Sequence, residues 1–280
     1  MVDEVVVPLP DGRVLQGFAT PAAADDDGDH VVLWHHGTPH TGVPLPPVTD
    51  LVRSRGARLV TYARPGYGSS TAQPGRTVAS AADDVAHLAD ALGLTRFVTV
   101  GASGGGPHAL ACAALLGDRV TAVGVLAGLA PRDAGWDWFA GMRAPGALRA
   151  AVVGREARRR SGESDSFDPE VFTRADWSAL EREWSALGED AGRADTAHPD
   201  GAVDDDVAYA APWGFDLGAV AVPTVIVHGG QDGMVPVEHA RRLAASVPGA
   251  VLRLEPEGGH VSVLRRLGDV LDSLLTSHET

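Results

Sequence analysis

Short apolar runs rich in valine and leucine recur along this chain, separated by stretches whose apolar residues return at helical spacing. The first two runs, Val5-Val6-Val7 and Val14-Leu15-Gln16-Gly17-Phe18, flank the turn sequence Pro10-Asp11-Gly12 and predict an antiparallel hairpin. The run His30-Val31-Val32-Leu33-Trp34 predicts a buried strand. Further strands are predicted at Arg58 to Tyr62, Phe97 to Val100, Ala122 to Leu126, Pro223 to His228 and Ala250 to Leu254. Helical stretches fall between them: Pro47 to Arg55, Val78 to Leu92, Pro107 to Leu116, Pro236 to Ser246 and Val261 to Leu275. This alternation implies an α/β fold with a mainly parallel sheet and helices on both faces.

From about Pro131 to Pro212 the alternation stops, and tryptophan and charge concentrate: Trp136, Trp138, Trp177, Trp184, Arg158 to Arg160, Asp204 to Asp206. Asp168-Pro169-Glu170 has the capping carboxylate, early proline and first-turn acid of a helix start. Behind it Trp177, Leu180, Trp184 and Leu187 share one apolar helix face. The stretch from Ala144 to Asp168 is expected to be partly loose, and the arginine run at 158–160 to be a solvated face. The expected division is a core, residues 1–130 and 213–280, interrupted by a mainly helical insertion, 131–212.

Composition narrows the partners. The 280 residues carry 23 basic and 37 acidic side chains, a net charge of -14, and every basic one is arginine. So acidic a surface argues against a nucleic-acid or anionic-membrane partner and leaves a small-molecule substrate as the expected ligand. The start, Met1-Val2-Asp3-Glu4, is acidic where a secretory signal is basic, and no apolar run is long enough to span a bilayer. The single cysteine, Cys112, rules out an internal disulfide framework, reads as a core filler and fits a reducing, cytoplasmic setting.

The chemistry concentrates at Gly101-Ala102-Ser103-Gly104-Gly105, between the Phe97 strand and the Pro107 helix. Gly-x-Ser-x-Gly at a strand-to-helix turn is a nucleophile elbow. The sharp turn needs glycines where a Cβ would clash, and it lifts the serine oxygen clear of the sheet at the positive end of a helix.

A serine hydroxyl needs a base and an orienting carboxylate before it attacks. His260, in Glu257-Gly258-Gly259-His260 after the last strand, is the expected base. Asp232, just past the carboxyl end of the Pro223 strand, is the expected acid, with Asp133 in reserve. Both fall at the sheet edge where open α/β sheets gather their ligands, and the chain order Ser, Asp, His suits that architecture. Acyl transfer also needs two N–H groups aimed at the developing oxyanion. Those of Gly104 and of Thr38, in His35-His36-Gly37-Thr38-Pro39, are the candidates, since Pro39 has none to offer.

The strings HHGTP, YARPGYGSS, VGASGGGPHALACAALL, HGGQDGMVP and EGGH together resemble the α/β-hydrolase superfamily over nearly the whole chain outside the insertion. The resemblance implies an eight-stranded, mostly parallel sheet with an inserted helical cap, a triad at Ser103, Asp232 and His260, and oxyanion positions at Thr38 and Gly104. It also implies that Arg64-Pro65-Gly66-Tyr67-Gly68 is a supporting loop. Serine at the elbow disfavours haloalkane dehalogenases and epoxide hydrolases, which carry aspartate there. HGTPH departs from the HGGPG of proline iminopeptidases and the HGGG of hormone-sensitive-lipase relatives.

The expected activity is cofactor-free serine hydrolysis of an ester, thioester or lactone of a small to medium apolar acid. Trp136, Trp138, Phe139 and Met142 are expected to line the acyl pocket. An amidase, aminopeptidase or C–C hydrolase using the same triad stays open, as does a lyase, cyclase or ligand-binding role on the same fold. His36 and His40 are four apart, but Gly37 and Pro39 between them, and the lack of an evident third ligand, argue against a metal site. His35, His108 and His228 are expected to pack in the core or pocket wall.

Overall fold

Each of the apolar runs forms a strand of one sheet in the computed structural model, which describes residues 2–21, 30–133, 135–162, 168–197 and 199–276. The strands are β1 (Asp3–Pro8), β2 (Val14–Ala19), β3 (Val31–His35), β4 (Arg58–Tyr62), β5 (Phe97–Ala102), β6 (Val120–Leu126), β7 (Thr224–Gly229) and β8 (Val251–Glu255). They lie in the order β1-β2-β4-β3-β5-β6-β7-β8. β1 and β2 form the predicted hairpin, β2 also runs antiparallel to β4, and all remaining pairs are parallel.

Residues on each central strand alternate between two apolar layers, as the pleat requires. Val31 and Leu33 of β3 enter one layer, with Val85 and Leu88 of α2 (Ser80–Ala91), Leu110 of α3 (Gly105–Leu115) and Leu243 of α9 (Glu238–Ser246). Val32 and Trp34 enter the other, with Val48 and Val52 of α1 (Pro46–Arg53) and Leu271 and Leu274 of α10 (Leu267–Leu275). Cys112 is buried in the first layer.

The topology fixes where a site can form. From β3 the chain crosses by α1 to β4 on one side, and from β4 by α2 to β5 on the other. The order therefore reverses between β3 and β5, and a crevice opens beyond their carboxyl ends. The loop from His36 to Thr38 leaves one of these ends and Ser103 leaves the other.

Between β6 and β7 the chain is helical among the described residues: α4 (Gly146–Val153), α5 (Arg155–Gly162), α6 (Arg174–Leu180), α7 (Ser185–Ala197) and α8 (Pro199–Ala210). Two local expectations are corrected. Most of the stretch expected to be loose is helical in α4 and α5; residues 163–167 lie outside the described residues. The helix expected to begin at Asp168 and carry four apolar residues is divided. Asp168 caps only a 3₁₀ turn, Pro169–Val171, and Thr173 starts α6 with a reciprocal capping box to Asp176. The chain then turns after Leu180, where the Trp184 N–H reaches back to the Ala179 carbonyl. That turn sends Trp184 into the second apolar layer and leaves Trp177 partly exposed.

Candidate active site

Ser103 sits between β5 and α3 with φ of +51°, a left-handed conformation that a side chain adopts only under strain. Its N–H donates to the Leu126 carbonyl at 2.8 Å and its own carbonyl accepts from Gly106 at 3.0 Å, which fixes the turn. The neighbouring glycines allow it: a Cβ at Gly101 would run into the Gly105 carbonyl, and one at Gly105 into the His35 carbonyl. The strain and the close passage of β3 and β5 to α3 both follow from one pentad.

His260 approaches from the loop after β8, and the Ser103 hydroxyl donates to its Nε2 at 3.0 Å. On its other side Nδ1–H donates to Asp232 Oδ2 at 2.7 Å. Asp232 is itself fixed, because its Oδ1 accepts the N–H groups of Met234 and Val235 at 2.9 and 2.8 Å. Burial opposes protonation of His260, but the adjacent Asp232 carboxylate outweighs it and raises the imidazole above its ordinary value. The structure thus brings together Ser103, His260 and Asp232. Asp133 stays apart: it is exposed and accepts the N–H of Gly135 at 2.7 Å.

Thr38 and Gly104 are also brought together, from the loops after β3 and β5. A Cβ on Gly104 would meet the Thr38 hydroxyl at 2.6 Å. Among the described residues the backbone N–H groups of Thr38 and Gly104 have no protein acceptor. The site opens into a cavity of about 440 Å³. Its wall includes Trp34, Leu45, Ser103 and His260 from the core and Phe172, Leu180, Leu187 and Asp190 from the insertion.

Trp136, Trp138, Phe139 and Met142 are not in that wall, which corrects the expected acyl pocket. Trp138 is buried, donates from its indole to the Ala130 carbonyl at 2.7 Å, and meets the rings of Phe139 and His239 edge-on. Trp136 lies between His239 and the Arg242 guanidinium, and Met142 joins the first apolar layer. These residues fasten the start of the insertion to α9. The insertion's share of the cavity's apolar wall comes from α6, α7 and the turn before α6.

His35, His108 and His228, expected to pack in the core or pocket wall, are buried. His35 lies between the Tyr62 hydroxyl and Thr99, and His228 contacts the Val235 carbonyl at 2.7 Å. His108 Nδ1–H donates to the Gly104 carbonyl at 2.8 Å, and burial pushes its pKa down to about 3, so it stays neutral. Among the described residues no group of three or more His, Cys, Asp or Glu side chains is placed to hold a metal ion. No helix among them is long and apolar enough to cross a membrane.

Residues 30–266 match the family model described as the alpha/beta hydrolase fold. The chain belongs to this family. Solved structures agree in fold along nearly the whole length. A thermophilic esterase from Thermogutta terrifontis matches with a TM-score of 0.75 and 22% identity, covering 99% of this chain and 100% of that one. A bromoperoxidase from Bacillus anthracis matches with a TM-score of 0.72 and 21% identity, over 98% of this chain and 100% of that one. An enol-lactonase from Burkholderia xenovorans LB400 matches with a TM-score of 0.68 and 21% identity, over 98% of each chain.

Within this α/β hydrolase, three insertion carboxylates that the sequence did not single out reach the site. Asp205 of α8 is fully buried between Arg64 (2.6 Å) and Arg76 (2.7 Å), and it accepts from the hydroxyls of Tyr67 and Thr38 at 3.0 and 2.6 Å. Burial alone would raise its pKa; the two guanidiniums hold it well below the ordinary carboxylate range. Asp176 of α6 accepts the N–H groups of Val261 and Ser262 at 2.9 and 2.7 Å, which pins the backbone just after His260. Asp190 of α7 accepts from His40 and Thr41.

The only hint of this in the sequence was Asp204-Asp205-Asp206 set against so many arginines. In the fold each of the three is buried and has its own partner, Arg155 for Asp204 and Arg158 for Asp206. Arg158 is therefore not part of a solvated face, while Arg159 and Arg160 are exposed.

Proposed function

We propose that this α/β hydrolase is a serine esterase that cleaves an ester, thioester or lactone of a small to medium apolar acid. The observation that carries the reading is the unbroken relay from Ser103 Oγ to His260 Nε2 at 3.0 Å and from His260 Nδ1 to Asp232 at 2.7 Å. In this reading Ser103 Oγ attacks the carbonyl carbon as its proton passes to His260 Nε2. Asp232 keeps the imidazole in the required tautomer and balances the charge it gains. The carbonyl oxygen becomes an anion facing the N–H groups of Thr38 and Gly104, beside the positive end of α3.

Collapse of the intermediate breaks the C–O bond, and the proton on His260 leaves with the alcohol. Water then repeats the sequence on the acyl-enzyme, with His260 again as base, and releases the acid. Trp34, Phe172, Leu180 and Leu187 give the cavity an apolar wall suited to a hydrocarbon acyl chain. The esterase and the enol-lactonase similar in fold are named for acyl–oxygen chemistry, which favours this leaving group over an amine. A small-molecule substrate and no cofactor complete the proposal.

The test is hydrolysis of p-nitrophenyl butyrate by the protein and by Ser103→Ala. The proposal expects turnover by the former and a loss on the order of 10⁴-fold or more in the latter. Comparable rates for the two would remove the serine mechanism.

A further inference from the structure

His40 and Asp190 form a second imidazole–carboxylate pair that opens into the same cavity, and the relay above does not use it. His40 Nδ1 lies 3.0 Å from Asp190 Oδ2, on a side chain from α7 that is almost wholly buried. The Thr41 hydroxyl and N–H donate to the same carboxylate at 2.6 and 3.0 Å, and Arg193 adds a contact at 3.2 Å. Burial would raise Asp190, but these donors hold it below the ordinary carboxylate range, so it stays an acceptor. With Nδ1 directed at Asp190, Nε2 is the ring nitrogen of His40 left for another partner.

Nε2 lies beside Gly37, as Ser103 does. A side-chain carbon built on Gly37 would sit 3.5 Å from His40 Nε2 and 3.6 Å from Ser103 Cβ, so the two groups flank one glycine. His40 is 8% exposed and lines the cavity, and among the described residues its Nε2 has no protein partner. The other polar side chains of the wall are engaged. His36 contacts the Gly37 carbonyl and accepts from the Arg64 N–H, and Thr38 Oγ1 bonds Asp205. Outside the Ser103–His260 pair, His40 Nε2 is thus a side-chain acceptor left for a ligand, in a wall whose other residues are mostly apolar. An acceptor at the wall of such a cavity gains from a ligand that supplies a donor.

We propose that His40, oriented by Asp190, determines specificity by accepting a hydrogen bond from a substrate hydroxyl, so that the preferred ester carries a hydroxyl close to its reacting carbonyl. The proposal rests on the hydrolase reading above and adds the substrate's polar group to it. The bond requires a donor: a hydroxyl fits, whereas the bare carbonyl of a keto ester presents a second lone pair to Nε2 and gains nothing.

Matched esters test this. One pair places the hydroxyl on the acyl side, p-nitrophenyl 3-hydroxybutyrate against p-nitrophenyl butyrate. The other places it on the alcohol side, 2-hydroxyethyl butyrate against propyl butyrate. A neutral hydrogen bond gives about a three- to tenfold preference in kcat/KM for the hydroxyl member of at least one pair. In His40→Phe that ratio falls to about one, and p-nitrophenyl acetoacetate shows no such advantage over the butyrate in the unaltered protein. Ratios of one in both pairs for the unaltered protein overturn the proposal, as does a preference that survives His40→Phe. If no ester in either pair turns over, the hydrolase reading fails on its own, and the hydroxyl claim is read from binding. The hydroxyl esters must then raise Tm more than their partners do, and equal shifts overturn it.

Discussion

Arg64 Nη2 lies 2.6 Å from Asp205 Oδ2, with both side chains almost wholly buried, and the pair joins the loop after β4 to helix α8 of the insertion. The same guanidinium donates to the Gly37 carbonyl at 3.0 Å and to the Thr38 hydroxyl at 2.9 Å. Tyr209, also on α8, donates to the Gly104 carbonyl at 2.9 Å. The insertion therefore holds the two backbone segments proposed to stabilise the oxyanion.

Removing the carboxylate strands two buried guanidiniums. Asp205→Ala should cost about 3–5 kcal/mol of folding stability, read from the shift of a urea unfolding midpoint. An effect below about 1 kcal/mol would mean that water or another group compensates freely. The folded carboxyl is held below its unfolded value, so its contribution is complete above about pH 4 and fades as the pH falls through the folded pKa. Acid titration of Asp205→Ala should lose less stability below pH 4 than the unaltered protein does.

In the proposed mechanism the pH dependence of activity follows from His260. Only the neutral imidazole can take the serine proton, and its pKa is raised above 6.5 by Asp232 against the opposing effect of burial. The kcat/KM for an ester should therefore fall as the pH drops below an apparent pKa above 6.5. A profile flat down to about pH 5 would separate His260 from the rate.

Asp232→Asn should reduce kcat by roughly 10³- to 10⁴-fold with the fold intact, because the amide no longer enforces the tautomer. Asp133→Asn should stay within a few-fold, since that carboxylate caps a turn at the surface. Circular dichroism on both variants separates loss of chemistry from loss of structure.

Cavity shape should answer to the insertion's apolar side chains. Phe172→Ala and Leu187→Ala should move the optimum in a p-nitrophenyl ester series toward longer acyl chains. Trp138→Ala should instead cost about 3–5 kcal/mol of stability and lower all chain lengths in parallel, because the indole packs the core. A shifted optimum in Trp138→Ala, with none in Phe172→Ala, would reverse this assignment.

Much of the architecture was legible because it rests on local signals. β-branched runs predict strands wherever a sheet buries both faces, and the Gly-x-Ser-x-Gly pentad marks a turn that few other sequences permit. Asp232 and His260 were legible from strand ends, since a parallel sheet gathers its carboxyl-end loops at one edge. The residues of the cavity wall were not. The aromatic cluster at 136–142 has the composition of either a pocket or a core, and only the packing of Trp138 on His239 separates the two. Asp176, Asp190 and Asp205 were hidden for another reason. Each acts on a segment far away in the sequence, and an acidic residue in a helix looks the same whether it faces water or a buried arginine.

The most direct test of the serine assignment is intact-mass analysis after exposure to a fluorophosphonate probe. This account predicts one adduct per chain, located by peptide mapping at Ser103 and absent from Ser103→Ala. It also predicts that Asp232→Asn and His260→Ala are labelled far more slowly. An unlabelled protein, or an adduct at another serine, would contradict it.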